Sequence, residues 1–199
     1  MKFIIVGKHA SGKHEALEVC VQQGIAVGRE FSNIPEALPQ IYIDENYIRY
    51  SQEDINNIFE QGSYISIGGI EESGVIDSYM YYRGVSHYEF DASDVIVLTP
   101  SQLENINTKI IKDHIVFVWL DNTLDNRIRR HAEEGRKYSF SEQEEIENSH
   151  GLDFVKTLYN FPNSDVLYFS NEEPERVGTI IASLVKHNDL IDNFIKNFN

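Results

Sequence analysis

The sequence predicts an α/β fold in which helices cover both faces of a parallel sheet. Short apolar runs that predict strands recur along the chain at residues 3–6, 94–99, 115–120 and 165–169. The runs at 94–99 and 115–120 are typical of strands buried on both faces. Patterns typical of helices lie between these runs, and parallel neighbours need such crossover connections. A glycine-containing turn directly follows the first run, at the sheet edge where open α/β folds bind their ligands.

The N-terminal half adds further elements to this sheet. Ser51 and Asp54 have the spacing of an N-terminal capping pair, so a helix should begin there and end near Gly62. The remaining predictions are a helix at 15–21, a short strand at 40–44 and a hairpin of two strands at 64–68 and 75–82.

The C-terminal half alternates helices with the remaining strands. Pro100 is placed where proline suits a first helical turn, so a short helix should continue to about 106. Later helices are predicted at 123–134, from 142 onward and at 173–190, with a loop at 135–141 between the first two. An apolar stripe at 189–199 could cap the core or contact a second subunit, and the pattern favours the core.

The composition indicates a soluble globular protein. A chain of 199 residues can bury most of one core, and no apolar run approaches membrane-spanning length. The formal net charge of −15 argues against nonspecific binding to nucleic acid. The chain enters its first strand directly and has a single cysteine, Cys20, among apolar neighbours. We therefore expect no targeting segment, no membrane partner and a cytoplasmic location.

The turn after the first strand has the composition of a phosphate cradle. Its residues are Gly7, Lys8, His9, Ala10, Ser11, Gly12, Lys13 and His14, which is the spacing of a P-loop. The glycines allow backbone N–H groups to approach phosphate oxygens, and the following helix directs its positive end to the same place. Lys13 would reach the β- and γ-phosphates of ATP. His14 replaces the usual hydroxyl that binds magnesium, and Ser11 offers an oxygen nearby.

Positive charge is concentrated in one short segment of this acidic chain. It includes Arg127, Arg129, Arg130, Arg136 and Lys137, and it is a candidate anion site. Arg127 and Arg130 are three residues apart, so both could face the phosphate site from one helix. The alternative is a solvated helix face on which these arginines pair with neighbouring glutamates.

With these segments placed, the chain resembles the guanylate kinase family of P-loop nucleoside monophosphate kinases. The glycine loop is the first stretch that carries the resemblance. Residues 47–64 are similar to the family's Tyr-x-Phe-x-Ser segment with its helix and exit strand, and 81–86 to its Tyr-Tyr-Gly-Thr/Ser turn. Residues 116–145 are similar to a late sheet strand and its arginine-bearing lid. The four stretches occur in the family's order.

This resemblance implies a P-loop NTPase three-layer fold and a kinase activity. One P-loop kinase-like domain would cover 1–199, with its core at about 1–28, 90–125 and 160–199. A monophosphate-binding insertion would cover about 29–89 and a lid about 126–150. ATP and Mg²⁺ would be the cofactors, a nucleoside or deoxynucleoside monophosphate the substrate, and the protein a monomer or homodimer.

The resemblance also implies roles for individual residues. Tyr47 matches a tyrosine that binds the monophosphate, and Tyr82 matches a second, or Tyr81 if the turn is aligned one residue differently. The full set of implied substrate contacts is Arg29, Tyr47, Tyr81, Tyr82, Arg83 and Asp77. Lys13 and three arginines would act on the transferring phosphoryl group, and these arginines are Arg127, Arg130 and the lid residue Arg136.

Several family positions hold other residues here. Ser66 stands at the position of the base-reading glutamate, so guanine is not implied as the base. Thr99 or Pro100 replaces the acid at the end of a sheet strand. A second lid arginine aligns near Asn148 or Ser149 and is absent.

These departures leave three function classes open. The first is an active nucleoside monophosphate kinase, in which Asp77 or Glu71 reads the base and Asp121 replaces the lost strand-end acid as a weak metal ligand. The second is a catalytically degenerate nucleotide- or protein-binding module. The third is a P-loop hydrolase of another type, which no GTPase specificity motif supports. Retention of Lys13 favours the kinase.

Overall fold

The structure is a computed structural model that describes residues 1–33, 47–73, 78–107, 111–133, 135, 139–141, 144–145, 147–148, 161, 164–170 and 173–188. For 67–73, 78–80 and 101 the description covers the backbone alone. The predicted strand at 40–44, the stripe at 189–199 and two predicted site residues, Asp77 and Arg136, lie outside the described residues.

The described chain contains eight strands and six helices with the following bounds. The strands are β1 (Lys2–Gly7), β2 (Phe31–Ser32), β3 (Ile48–Arg49), β4 (Tyr64–Ser73), β5 (Ser78–Ser86), β6 (Val95–Leu98), β7 (Ile115–Asp121) and β8 (Ser164–Ser170). The helices are α1 (Lys13–Gln22), α2 (Gln52–Gln61), α3 (His87–Asp91), α4 (Pro100–Glu104), α5 (Leu124–Glu133) and α6 (Pro174–Lys186).

A parallel sheet of four strands forms the centre of the fold, in the order β6-β1-β7-β8. Helices cover both of its faces, which confirms the predicted α/β class. The register pairs Gly7 with Leu120, so β1 and β7 end side by side. The glycine loop and the residues that follow β7 therefore lie at one edge of the sheet.

The two faces of β1 bury alternate side chains in two separate cores. Phe3 and Ile5 contribute to the core beneath α1 and α6, whereas Ile4 and Val6 contribute to the opposite core with α3 and α4. A Cβ on Gly178 would lie 2.4 Å from the backbone oxygen of Ala16, so α6 packs closely on α1 there. No helix among the described residues is long and apolar enough to cross a membrane.

The last strand is present where the sequence predicts it, and it lies at the edge of the sheet. The run at 165–169 forms β8, which pairs only with β7 among the described strands. Its side chains are half-buried or exposed, and Tyr168 is 58% exposed. A strand at the edge of a sheet has one neighbouring strand instead of two, so its side chains are less buried than those of a central strand.

A second sheet, in the order β3-β2-β5-β4, is formed by elements between residues 31 and 86. The predicted hairpin is present, because β4 pairs antiparallel with β5 from Tyr64–Ser86 to Ser73–Ser78. Ser51 and Asp54 cap the start of α2 reciprocally, as predicted. Helix α2 packs on this sheet through a small core of Phe31, Ile55 and Ile58. Whether this unit binds a monophosphate stays a prediction.

Candidate functional site

The glycine loop curls tightly at the end of β1. A Cβ on Gly7 would lie 2.5 Å from Ser11 Oγ and 2.6 Å from the carbonyl oxygen of Leu120. Gly12 has φ 96°, and a Cβ there would lie 2.2 Å from the Pro174 ring. The backbone of Ala10 has φ 55°, a left-handed conformation that residues with a side chain seldom adopt. The loop conformation thus depends on its glycines.

Lys13 folds back over this loop. Its Nζ donates to the carbonyl oxygens of Gly7 at 2.7 Å and Lys8 at 2.8 Å, and the side chain is buried. The ammonium group is therefore held against the backbone that would surround a phosphate. Its contact with the phosphates of ATP stays a prediction.

Two arginines of α5 approach the loop from its other side. Arg127 is 4% exposed, and its Nη1 donates to the carbonyl oxygen of His9 at 3.3 Å. Arg130 Nη1 would lie 3.5 Å from a Cβ on Gly12, and it pairs with Glu15 at 3.5 Å. The spacing of three residues does bring both arginines to the loop, whereas Arg129 pairs with Glu133 on an exposed face. Their catalytic role stays a prediction.

Three polar atoms around the loop are buried and have no hydrogen-bond partner among the described residues. They are Ser11 Oγ, Arg127 Nε and Arg130 Nε. Burying a donor without an acceptor costs about 1–3 kcal/mol, so native structures rarely keep several together. They belong to one residue of the loop and to the two arginines of α5 that approach it.

Asn122 fixes the loop to the adjacent strand, and sequence reasoning missed it. Its Nδ2 donates to the carbonyl oxygen of Ser11 at 2.8 Å, and the side chain is 8% exposed. The predicted residue was its neighbour Asp121, whose carboxylate instead accepts from the hydroxyl of Tyr168 at an exposed position. The signal that could have identified Asn122 is a polar residue immediately after a buried strand beside β1.

Helical residues beyond α5 place two carboxylates on the loop. We refer to the described residues of 139–148 as the acidic segment. Glu147 Oε2 accepts from the backbone N–H of His9 at 2.6 Å, and Glu147 is 4% exposed. Burial raises the pKa of Glu147, while the charge of Lys13 opposes this shift. Sequence reasoning missed this residue because its partner is distant along the chain.

Glu144 and Asn148 extend the contact between the acidic segment and the loop. Glu144 accepts from Arg127 Nη1 at 2.5 Å and Nη2 at 2.8 Å, and from Lys8 Nζ at 3.2 Å. The hydrogen bond from Arg127 lowers the pKa of Glu144, although burial opposes it. Asn148 Oδ1 accepts from Lys8 Nζ at 2.6 Å.

Aromatic contacts reinforce the same arrangement. His9 Nε2 lies 2.8 Å from His131 Nδ1, so the glycine loop and α5 share a hydrogen bond. The Phe140 ring lies 5.8 Å from His9 and 5.4 Å from His131, measured between ring centroids. Arg127 Cζ lies 5.6 Å from the centre of the Phe140 ring.

The residues predicted to bind the monophosphate, apart from Asp77, which lies outside the described residues, lie in and around the second sheet. Arg29 forms an ion pair with Glu89 at 3.1 Å. Burial is the largest single influence on the pKa of Glu89 and raises it, but the hydrogen bonds from Arg29 and its charge together outweigh burial. The pKa of this carboxyl therefore lies below its usual range. Arg83 Nε lies 3.7 Å from Glu30 Oε1, which also accepts from the amide of Gln102.

The predicted tyrosines differ in how firmly the structure holds them. The Tyr82 ring packs edge-on against Phe59 at 5.1 Å, and its backbone N–H donates to Asn33 Oδ1 at 2.7 Å. Tyr47 and Tyr81 are half-buried. Tyr82 is therefore part of the core of the second sheet as well as a candidate contact.

The described residues offer limited support for a metal. They contain no group of three or more His, Cys, Asp and Glu side chains arranged to hold an ion. His14 occupies the position where the loop pattern has a hydroxyl. Within the loop, the buried hydroxyl of Ser11 is the candidate oxygen ligand.

Two crystal structures of kinases show a low-identity likeness to this chain. A guanylate kinase from Anaplasma phagocytophilum is 11% identical with a TM-score of 0.46, over 94% of this chain and 85% of that chain. A sugar kinase from Janibacter sp. HTCC2649 is 13% identical with a TM-score of 0.40, over 93% of this chain and 94% of that chain. No protein-family model and no curated protein sequence matches the chain. At these identities the likeness assigns neither substrate nor activity.

Proposed function

We propose that the protein transfers the γ-phosphate of ATP to a nucleoside or deoxynucleoside monophosphate. The observations that support this best are the buried Lys13 ammonium group, which donates to Gly7 and Lys8 of the glycine loop, and the approach of Arg127 and Arg130 to the same loop. Phosphoryl transfer needs in-line positioning and positive charge on the transferring oxygens, and little covalent chemistry from the protein.

The loop residues fit the phosphates of ATP. The backbone amides of residues 8–13 would hold them, with Lys13 as a mobile point charge. Gly7 and Gly12 leave no room for a Cβ, so the backbone itself forms the inner surface of the loop. Ser11 Oγ, Arg127 Nε and Arg130 Nε would gain the acceptors that they lack among the described residues.

Magnesium fits less well than the phosphates do. Bound together with ATP, it would neutralise negative charge that develops during the transfer. Ser11 is the stronger candidate to support it, and Asp121 is the weaker one because its carboxylate accepts from Tyr168. Neutral imidazole at His14 is a poor ligand for so hard a cation.

The acceptor would approach from the second sheet. Tyr47, Tyr82 and Arg83 would bind its phosphate, with Arg29, Tyr81 and Asp77 as further contacts. The acceptor oxygen is already an anion, so no general base is required. Arg127, Arg130 and Arg136 would place positive charge on the transferring group as the acidic segment moves.

The test measures ADP formation from ATP and Mg²⁺ with a panel of ribo- and deoxynucleoside monophosphates. The wild-type protein should turn over at least one of them, and Lys13→Ala should lower the rate by roughly 10²-fold or more. Lys112→Ala is the matched control, because Lys112 is exposed and outside the loop. Absence of turnover with every acceptor would contradict the proposal.

The second candidate is a guanylate-kinase-like binding module without catalysis. His14 at the hydroxyl position and the pairing of Arg29 with Glu89 favour it. This candidate predicts ATP binding by calorimetry, lost in Lys13→Ala, without ADP formation for any acceptor.

A further inference from the structure

The backbone N–H of His9 donates to Glu147, although it belongs to the loop proposed to hold the phosphates of ATP. Carboxylate and phosphate oxygens are both charged acceptors that suit a backbone donor at such a loop. The distance of 2.6 Å and the 4% exposure of Glu147 leave no space for a second anion at the same N–H. One acceptor therefore excludes the other.

The same cations serve Glu147 and a polyphosphate. The charges of Lys13 and Arg127 both act favourably on the ionised Glu147 carboxyl, which places it in the field of the residues proposed to bind ATP. A triphosphate entering this field would meet a carboxylate of the same sign. Like charges at contact distance in a partly dry site repel strongly.

Glu144 forms ion pairs with two cations at the loop, Arg127 and Lys8. It binds both terminal nitrogens of Arg127 and also accepts from Lys8. Lys8 has a further acceptor in Asn148. The acidic segment thus supplies carboxylates to the loop amide and to both flanking cations, which is the set of contacts that phosphate oxygens would otherwise make.

We propose that the acidic segment is an internal competitor for the glycine loop, with Glu147 in the position of a phosphate oxygen, so that ATP binds only after this segment leaves. This proposal rests on the proposed function. The ATP affinity measured on such a protein equals the affinity of the open loop multiplied by the fraction of molecules in which the loop is open. Removing the competing charge should raise that fraction.

Calorimetric titration of ATP into the wild-type protein, Glu147→Gln and Glu147→Ala tests this directly. Glu147→Gln keeps the shape and an acceptor oxygen but removes the charge. Both variants should bind ATP on the order of tenfold more tightly than the wild type. Glu145→Gln is the matched control, because it makes the same charge change at an exposed position of the same segment and should leave the affinity unchanged. Unchanged or weaker binding by both Glu147 variants would overturn the proposal.

Amide hydrogen exchange gives a second readout that does not depend on turnover. Without ATP, the His9 amide should exchange faster in Glu147→Ala than in the wild type. Saturating ATP should increase exchange in the acidic segment of the wild type as it leaves the loop. Increased protection of that segment with ATP would overturn the proposal, because the segment would then close over the nucleotide.

These results separate the two proposals. Tighter ATP binding by Glu147→Gln without phosphoryl transfer would support the internal competitor and contradict the kinase. Turnover by the wild type without tighter binding by either Glu147 variant would support the kinase and contradict the competitor. Absence of ATP binding by all the proteins would contradict both.

Discussion

Arg127 and Glu144 form a two-bonded ion pair between α5 and the acidic segment, with distances of 2.5 Å and 2.8 Å. Arg127 also donates to the glycine loop through the carbonyl oxygen of His9. One guanidinium group therefore connects three parts of the candidate site. Replacing Glu144 should change both stability and the position of the acidic segment.

We predict that Glu144→Gln lowers the free energy of unfolding by about 2 kcal/mol at pH 7. The pKa of Glu144 is below its usual 4.5, chiefly through the hydrogen bond from Arg127. Its stabilising effect is therefore complete above about pH 4.5 and is lost as the pH falls through the lower folded value. Urea denaturation at several pH values measures this, and a difference between the proteins that persists at acid pH would contradict it.

Glu147 should show the opposite dependence on pH. Burial raises its pKa above 4.5, so the folded protein binds a proton more readily than the unfolded chain does. Relative to Glu147→Gln, the wild type should gain stability as the pH falls through this raised value toward 4.5. Denaturation of both proteins between pH 7 and pH 4.5 tests this, with Glu145→Gln as the exposed control. A relative loss of wild-type stability over that range would refute it.

Gly12 and Gly62 allow a matched comparison of backbone strain with crowding. Both have positive φ, but a Cβ on Gly12 would meet Pro174 at 2.2 Å, whereas none of the described atoms lies within 4 Å of one on Gly62. Gly62→Ala should therefore cost only the left-handed strain, about 1–2 kcal/mol. Gly12→Ala should cost a further 1–3 kcal/mol or so and weaken ATP binding. If thermal or urea unfolding shows that the two variants lose the same amount of unfolding free energy, the packing of α6 on the loop is contradicted.

Asn122 and Asp121 are neighbours that should behave differently. Asn122→Ala removes the donor to Ser11, so we expect a loss of about 1–2 kcal/mol in unfolding free energy and weaker ATP binding. Asp121→Ala should leave binding of metal-free ATP unchanged, because its carboxylate contacts Tyr168 rather than the loop. Calorimetry with and without Mg²⁺ separates these effects. Equal ATP affinity in wild type and Asn122→Ala would remove Asn122 from the site.

Local patterns in the sequence predicted the fold and located the residues that the structure brings to the glycine loop. The apolar runs identified the central strands, and the spacing of Gly7, Gly12 and Lys13 located the loop. The three-residue separation of Arg127 and Arg130 predicted that both would reach it. Periodicity and turn chemistry depend on neighbouring residues, so a single sequence is enough to reveal them.

Contacts between distant residues could not be predicted in this way. Glu147 lies 138 residues from His9, and Asn122 lies 111 residues from Ser11. Nothing in the local sequence distinguishes Glu147 from a solvated side chain on a charged stretch. The position of Asn122 after a buried strand indicates a contact with the loop only if β7 lies beside β1. The edge position of β8 was missed for a related reason, because strand order depends on pairing partners and not on the strand's own apolar run.

Phosphorus NMR of ATP, Mg²⁺ and the preferred monophosphate with the wild-type protein tests whether the protein transfers a phosphoryl group. We expect ADP and the nucleoside diphosphate of the acceptor to appear in equal amounts, and Lys13→Ala to form both far more slowly. Inorganic phosphate in place of the acceptor's diphosphate would show a hydrolase. ATP that stays intact with every acceptor would contradict the phosphotransferase assignment.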